Sequence, residues 1–386
     1  MKFYAALFLF LFPAIAASQV IPSETGNDIP EATDPRVGSY YSVFPLAAYT
    51  SDLGFLGGGF VQRINYGVHV LPFLSNTKAD FTISTNGTIN SRMEYERIRT
   101  FGTSIRSRVE FIGRRERQGR YFGIGNSTDF GSELFDNDFY FYENREVYIN
   151  YQGRYNVGTF GSRGVIDLIG GGTLWYVNSK PLEEPTLFAA ETPLGFDKKW
   201  SNKLEIGVLL DNRISEFTPT RGIRYQVDFS VSTPIVGSEF TFSGIKGEFR
   251  HFIPLLSGLT LAHNLKVERI FGSAPFWAQS IIGNEQGLRG YHLNRFRGDG
   301  SILSMLELRS WLFSLFDDRL RLGAQTFWDT GRVFSEFDDG SLFNGWKHTL
   351  GIGGAISILS PDFFVRGDVG ISAETYRIYF GAGYIF

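Results

Sequence analysis

The 386-residue sequence contains no cysteine, and beyond its N-terminal residues it has no uninterrupted apolar run of about 20 residues. Without cysteine there is neither a disulfide framework nor an attachment point for a lipoprotein anchor. Without such an apolar run, a membrane protein built from helices is excluded. Segments with the helical period of a soluble enzyme are also missing, and a net charge of −3 leaves no basic surface for nucleic acid.

The first 17 residues have the pattern of a secretion signal. Lys2 provides the positive charge, an apolar run follows, and the small residues at 14–17 form a processing site. The sequence therefore predicts an exported chain with residues 1–17 removed. Residues 18–42 are rich in proline, glutamate, threonine and aspartate, and we expect them to form a flexible periplasmic lead-in that is too short for a folded domain.

What the sequence has in abundance is aromatic residues, glycine and a two-residue alternation. It contains 38 Phe, 18 Tyr and 45 Gly. Over 223–232, the apolar residues share one face of a strand and the polar residues share the other. The same split recurs at 203–211, 320–329, 363–372 and 377–386. These runs approach the roughly 9 to 11 residues that a tilted transmembrane strand needs, whereas strands of soluble sheets are usually about 5 to 6 residues long.

The alternation predicts sixteen strands, an even number that suits a bacterial outer-membrane barrel. The predicted strands are 43–50, 54–65, 79–89, 91–102, 104–114, 146–157, 163–177, 201–213, 221–232, 241–252, 259–271, 302–313, 320–331, 348–360, 363–373 and 377–386. Short turns alternate with long loops at 115–145, 178–200, 272–301 and 332–347, as in barrels with short periplasmic turns. We therefore predict an all-β fold, a 16-stranded antiparallel transmembrane β-barrel over 43–386, in the outer membrane of a Gram-negative bacterium.

The last predicted strand ends on an aromatic residue. Phe380, Tyr384 and Phe386 fall on one face of 377–386. In a closed barrel every backbone group in lipid must be paired, so we expect this strand to pair with the first one. The aromatic end is similar to the signal that barrel-insertion machinery reads, and we assign Phe380, Tyr384 and Phe386 to that signal.

A cluster of opposite charges is predicted inside the barrel. Loop 272–301 contains Arg289 close to two glycines, and the next two strands carry Glu307 and Asp329 on their polar, lumen-facing sides. Two neighbouring carboxylates repel each other unless a cation lies between them, and the planar guanidinium of Arg289 is suited to bind both. We expect Arg289 to hold the loop inside the barrel. The alternative is that each lumen charge pairs with its local neighbours.

These motifs resemble the bacterial surface antigen superfamily. The resemblance is carried by Gly-Leu-Arg-Gly-Tyr at 287–291, Arg-Gly-Asp at 297–299, Glu-Leu-Arg at 307–309 and Phe-x-Asp-x-Gly at 327–331. The superfamily contains 16-stranded barrels such as the BamA/TamA assembly factors and the two-partner-secretion transporters. The resemblance implies that Arg289, Gly290 and Tyr291 lie on the sixth extracellular loop, which folds into the lumen against Asp329 and Glu307.

The resemblance also implies a non-enzymatic role in outer-membrane assembly or in translocation of protein or lipid. Because no periplasmic domain precedes residue 43, we expect a lone barrel. The sequence does not decide whether its client is an unfolded protein or a lipid. The alternative is a structural protein or passive pore that is plugged by loop 272–301. The expected partners are outer-membrane lipids and, during biogenesis, the barrel-insertion machinery.

Enzymatic functions are less favoured by the sequence. The five histidines have no metal-ligand spacing, and no Gly-x-Ser-x-Gly motif marks a nucleophilic serine. His263 lies on the apolar face of its predicted strand. A membrane-facing histidine and serine could serve a lipid hydrolase, which is the least favoured hypothesis. We expect no cofactor and no metal ion.

Overall fold

The structure, a computed structural model, describes residues 37–386 except 69, 71, 217, 285, 317–319, 336–342 and 359–363. The predicted signal peptide and residues 18–36 of the lead-in lie outside the described residues. Long antiparallel strands dominate the part that is described. Its short α-helices, α1 Ser132–Asp136 and α2 Leu187–Glu191, lie in loops. In the described ranges, no helix has the length and apolar character needed to cross a membrane.

Sixteen strands form the wall of a barrel in the described part of the chain. In chain order they are β1 Gly38–Thr50, β2 Gly54–Tyr66, β3 Ser75–Ser84, β4 Ile89–Arg97, β5 Ile105–Arg120, β6 Phe141–Phe160, β7 Gly164–Pro181, β8 Lys203–Asp211, β9 Gly222–Ser232, β10 Phe242–Leu256, β11 Leu259–Gly272, β12 Gly300–Leu315, β13 Leu320–Phe334, β14 Lys347–Ile358, β15 Phe364–Ile371 and β16 Tyr376–Ala382. A short strand, Asp197–Trp200, also pairs with β7 just before β8 begins. Inside the long loop after β11, Ser280–Ile282 pairs with Phe296–Gly298.

Each wall strand pairs antiparallel with the next one in the chain, from β1 with β2 through to β15 with β16. Side chains alternate between the two faces of this wall. On β13, Trp328 is 46% exposed on the outer face, while Asp329 is fully buried on the inner face. Apolar residues such as Val227 and Phe229 are exposed on the outer face, as a wall in lipid requires. The predicted 16-stranded antiparallel barrel is confirmed.

Several strand bounds differ from those predicted from the sequence. β5 ends at Arg120 and β6 begins at Phe141, so both extend into the segment predicted as loop 115–145. The hairpin predicted as 79–89 and 91–102 was wrong in position, because its turn lies between Ser84 and Ile89. Asn86 and Gly87 form this turn, with Gly87 at φ +84°, and Asn-Gly is a strong signal for a tight hairpin. β1 begins at Gly38, inside the segment that was predicted as a lead-in.

The long loops lie together at one end of the barrel, because strands alternate in direction. Loops 121–140, 182–202 and 273–299 meet there, whereas the opposite end carries short turns such as 161–163 and 257–258. Aromatic residues of the three loops pack in one buried cluster that includes Tyr121, Phe188, Phe276 and Trp277. The rings of Tyr121 and Phe276 are 5.7 Å apart and meet edge to face. The loops therefore cover this end of the barrel with an apolar plug.

The first and last strands meet at a seam that differs from the rest of the wall. Ser51 N–H donates to the carbonyl of Ile378 at 3.0 Å, and Ile378 N–H donates to Ser51 Oγ at 2.9 Å. Between these strands, both fully described, no ladder of registered pairs forms. The predicted pairing of the last strand with the first was therefore wrong in extent. The last strand ends at Ala382, and Gly383, at φ +73°, turns the chain out of the wall.

Candidate functional site

Arg289 is fully buried and binds the inner face of the wall. Its Nε and Nη2 donate hydrogen bonds to Asp329 Oδ2 and Oδ1 at 2.9 and 2.7 Å, so the guanidinium holds the carboxylate with two parallel bonds. The backbone N–H of Arg289 donates a third bond to Asp329 Oδ2 at 3.1 Å. On the other side, Nη1 lies 2.6 Å from Glu307 Oε1. The structure thus brings together the three charged residues that the sequence singled out.

Two further arginines and a third carboxylate extend this cluster. Glu307 Oε2 accepts a hydrogen bond from Arg309 Nε at 2.7 Å. Asp368 lies 3.8 Å from Arg289 Nη1 and pairs with Arg366. We call the six buried residues the lumen cluster: Arg289, Glu307, Arg309, Asp329, Arg366 and Asp368. Three positive and three negative charges balance, and buried charges are tolerated when they are paired in this way.

Gly290 and Tyr291 carry the loop along the inner face beside Arg289. A Cβ on Gly290 would lie 2.7 Å from the backbone nitrogen of Ser372, so only glycine allows this approach. The N–H of Gly290 donates to Thr349 Oγ1 at 3.1 Å, and its carbonyl accepts from Ser372 Oγ at 2.8 Å. Tyr291 is buried, with its ring 5.1 Å from that of Phe296. Gly290 therefore contacts the wall at Thr349, while the ring of Tyr291 packs against Phe296 of the same loop.

The arrangement around Arg289 pairs a charge of the loop with charges of the wall. Burial works against the charged guanidinium, but Asp329 and Glu307 outweigh this effect and raise the pKa of Arg289 above its usual value. The guanidinium also stacks 3.4 Å from the ring centroid of Phe327. Across the described ranges, no group of three His, Cys, Asp or Glu side chains is placed to bind a metal ion. The chemistry of this site is therefore ion pairing between the loop and the wall.

A second buried cluster of charged residues lies at the seam and was not predicted from the sequence. Asp52, in the β1–β2 turn, pairs with Arg120 at the end of β5 and with Arg377 at the start of β16. Its Oδ2 accepts a hydrogen bond from Tyr379 Oη at 2.9 Å, and Oδ1 accepts one from the N–H of Leu293 at 3.2 Å. Burial alone would raise the pKa of Asp52, but the two arginines outweigh it and hold that pKa below its usual value. We call Asp52, Arg120, Arg377 and Tyr379 the seam cluster.

The aromatic residues at the end of the sequence do not share one face of a strand. Phe380 lies within β16, but Tyr384 and Phe386 lie beyond it, so the predicted extent of this strand was wrong. The guanidinium of Arg309 lies 4.0 Å from the ring of Tyr384 and 4.5 Å from that of Phe386. Arg309 also donates to the carbonyl of Phe386 at 3.2 Å, which draws the chain inward. The role of Phe380, Tyr384 and Phe386 as an insertion signal stays a prediction.

We expect His292 to make the stability of the buried loop depend on pH. Its ring lies 4.3 Å from that of Phe135, and burial, together with Arg377 and Arg120, lowers the pKa of His292 to about 3 from 6.5. As the pH falls below 6.5, the unfolded chain therefore takes up a proton that the folded chain resists. The contribution of neutral His292 to the free energy of unfolding is therefore fully present above pH 6.5. It decreases as the pH falls from 6.5 toward the folded pKa, by up to about 1.4 kcal/mol per pH unit.

We expect His292→Phe to flatten this dependence, because phenylalanine keeps the ring packing and does not titrate. The measurement is the protease resistance of loop 273–299 from pH 6.5 down to about pH 5.5, an interval in which carboxyl groups of ordinary pKa stay ionised. The unaltered protein should lose resistance steadily over this interval, while the variant should change little. Equal slopes for the two proteins would show that His292 does not titrate with loop release.

Comparison with known proteins places this arrangement among outer-membrane barrels. Residues 74–386 match the Omp85 superfamily domain, and no curated protein matches the sequence. BamA from Haemophilus ducreyi lacking POTRA domains 1–3 is similar in structure, with a TM-score of 0.59 and 14% identity over 89% of this chain and 70% of that chain. CdiB from Escherichia coli has a TM-score of 0.59 and 11% identity, over 89% and 62% of the two chains.

CdiB from Acinetobacter baumannii is also similar, with a TM-score of 0.56 and 10% identity over 89% of this chain and 59% of that chain. At these identities the structural similarity shows a common fold alone. The chain spans about six tenths of the length of the two CdiB proteins. The superfamily match, by contrast, extends over most of the sequence and includes the loop, the lumen cluster and the last strand.

Proposed function

The chain belongs to the Omp85 superfamily, and from this membership we propose that it acts, without catalysis, in outer-membrane assembly or in translocation of protein or lipid. Omp85-family barrels are proteins of the Gram-negative outer membrane. The apolar outer face of the wall fits this location. The client is an unfolded protein or a lipid, and the working surroundings are outer-membrane lipids and, during biogenesis, the barrel-insertion machinery.

The observation that carries the proposal is the seam between β1 and β16. A wall that serves only as a pore gains from a complete ladder, since each unpaired backbone group in lipid costs several kcal/mol. Here the two strands are held at Ser51 and Ile378 and by the side chains around Asp52. Side-chain contacts can exchange partners one at a time, whereas a ladder must break along its length. The seam is therefore where a client strand or a lipid can pass between lumen and membrane.

The loop after β11 complements the seam by closing the lumen. Its apolar residues pack in one cluster with inward-facing wall residues: Ile282, Leu288, Tyr291, Phe296, Leu303, Met305 and Val333. Arg289 fixes the loop to β12 and β13 through Glu307 and Asp329. A barrel that opens at its seam needs such a closure, because an open lumen would leak small solutes across the membrane. We assign loop 273–299 this role, with the long-loop end of the barrel facing the cell exterior.

The proposal is tested by depleting the protein in its source bacterium and profiling the outer membrane. We expect the amounts of several other outer-membrane proteins, or the distribution of lipids between the leaflets, to change before growth stops. Re-expression of the unaltered chain should restore both. An outer membrane with unchanged proteins and unchanged lipids would contradict the proposal.

The alternative is a passive pore that is plugged by the same loop, and the buried packing of loop 273–299 favours it specifically. In this case we expect deletion of residues 286–298 to raise the single-channel conductance in planar bilayers by several-fold, because the segment fills the lumen. The depletion experiment would then leave other proteins and lipids unchanged. Conductance that stays the same after the deletion would exclude the plugged pore.

A further inference from the structure

A row of polar side chains crosses the outer face of four neighbouring strands, β9 to β12. Tyr225 Oη hydrogen-bonds to His251 Nε2 on the next strand. The ring of His251 stacks on that of His263, with centroids 5.7 Å apart and 17° between the planes. His263 Nε2 in turn lies 2.9 Å from Ser304 Oγ. The row is continuous, and although the sequence placed His263 on the apolar face of its strand, it did not identify the partners of His263.

The row faces away from the lumen. On β11, the two chain neighbours of His263 are Ala262 and Asn264, and both are fully buried on the inner face. Because side chains alternate along a strand, His263 lies on the outer face. Val267, further along the same face of β11, is 37% exposed, and Ile253 on β10 is 49% exposed. The polar row is therefore set within the apolar surface that contacts lipid.

An open groove of about 450 Å³ lies over the end of this row. Its apolar walls come from Ile253, Leu261, Leu306 and Trp328. Its polar elements are His251, His263, Ser304 and Thr330, and of these His263 and Ser304 lie beside each other. The volume is in the range of small-molecule sites, which are mostly apolar with a few polar groups that fix orientation. The groove opens on the membrane side of the wall, so the molecule available to fill it is a lipid.

Polar side chains on such a surface are costly unless they are paired, and they usually mark a functional site. The bond between His263 and Ser304 uses one ring nitrogen and part of the capacity of the hydroxyl. In an apolar medium, the second ring nitrogen of His263 and the remaining hydrogen-bonding capacity of the Ser304 hydroxyl still require partners. A hydrocarbon chain offers none. An ester group at the head of an acyl chain offers a carbonyl acceptor at the point where the chain begins.

We propose that this groove is a binding site for a membrane glycerophospholipid, with an acyl chain along Leu261 and Leu306 and its ester carbonyl hydrogen-bonded to the His263–Ser304 pair. The site holds a lipid on the outer wall and is separate from the seam and from the lumen cluster. It does not depend on the assembly role proposed above. Tyr225 hydrogen-bonds to His251, and the ring of His251 stacks on that of His263, so both residues help to fix the position of His263.

The test uses the full chain in vesicles of phosphatidylethanolamine and phosphatidylglycerol with a trace of phospholipid that carries a diazirine in its acyl chain. After irradiation, labelled peptides are mapped by mass spectrometry. We expect labelling to concentrate on peptides from 249–263 and 302–308. His263→Ala and Ser304→Ala should each reduce it about fivefold, the effect of one hydrogen bond made in an apolar site. A fatty-acid methyl ester should compete, and an alkane of the same length should not.

Two variants keep the test independent of folding defects. Leu261→Trp fills the groove without adding a charge and should abolish the local labelling. Thr326→Ala removes an outward hydroxyl from β13 outside the groove and should leave the labelling unchanged. Equal labelling in all variants, or equal competition by ester and alkane, would overturn the proposal. So would displacement by lipopolysaccharide alone, or fatty-acid release that depends on Ser304, which would make the site catalytic.

Discussion

Replacing Arg289 with alanine is expected to lower the free energy of unfolding of the barrel by about 3 to 5 kcal/mol, the usual cost of removing one partner from a buried ion pair. The side chain is fully buried, and it makes two hydrogen bonds to Asp329 and an ion pair with Glu307. Its removal leaves three carboxylates of the lumen cluster against two arginines. The remaining carboxylates then repel each other across a space that water enters poorly.

The measurement is heat-modifiability of the refolded protein together with protease resistance of loop 273–299. Both should fall sharply in Arg289→Ala. Arg289→Lys should show an intermediate loss, because lysine keeps the charge but cannot form the two parallel bonds to Asp329. Adding Asp329→Asn to the alanine variant should recover part of the loss by removing one unpaired charge. If Arg289→Ala folds in full yield with a protected loop, Arg289 does not hold the loop inside the barrel.

Replacing Asp52 with alanine is the second large effect, with an expected loss of about 3 to 5 kcal/mol for the same physical reason. Asp52 is the shared partner of Arg120 and Arg377, and all three side chains are buried. Without the carboxylate, two guanidinium groups face each other with no anion between them. Because Arg377 belongs to β16 and Asp52 to the β1–β2 turn, the damage should concentrate at the seam.

Hydrogen exchange of backbone amides locates that damage. In Asp52→Ala we expect faster exchange in β1 and β16, while exchange in β8 and β9, on another part of the wall, stays slow. Asp136→Ala, which removes an exposed carboxylate from α1, is the matched control and should change neither region. Uniform acceleration along the whole barrel would mean that Asp52 stabilises the fold in general and has no special role at the seam.

Local alternation in the sequence was sufficient to predict the wall and part of the lumen cluster. Glu307 and Asp329 sit on strands with clear two-residue periods, so their inward direction followed from register. Arg366 and Asp368 lie on a strand of the same kind, and the same argument would have found them. The Asn-Gly pair at 86–87 also predicts a turn. The alternation continues on both sides of this pair, however, so the position of the turn was not predicted correctly.

Long-range partners were beyond the reach of the sequence. Asp52 lies 325 positions from Arg377 and 241 from Leu293, and no local pattern links them. The inward turn after Ala382 is held by two arginines: Arg366 Nε donates to the Gly383 carbonyl at 2.9 Å, and Arg309 donates to the Phe386 carbonyl. No local pattern around Gly383 indicates either partner. The seam could not be predicted either, because alternation indicates which strands exist and gives no measure of how far two of them pair.

Opening of the seam during function can be tested by a reversible covalent bond across it. The sequence has no cysteine, so Ser51→Cys and Ile378→Cys introduce the only two thiols, at residues whose backbones are hydrogen-bonded to each other. The double variant replaces the native protein in a depletion strain, and Ser51→Cys alone serves as the control. We predict that the oxidised double variant fails to restore the outer-membrane protein and lipid profile, and that a reductant restores it. A normal profile with the disulfide intact would show that the protein functions without opening the seam.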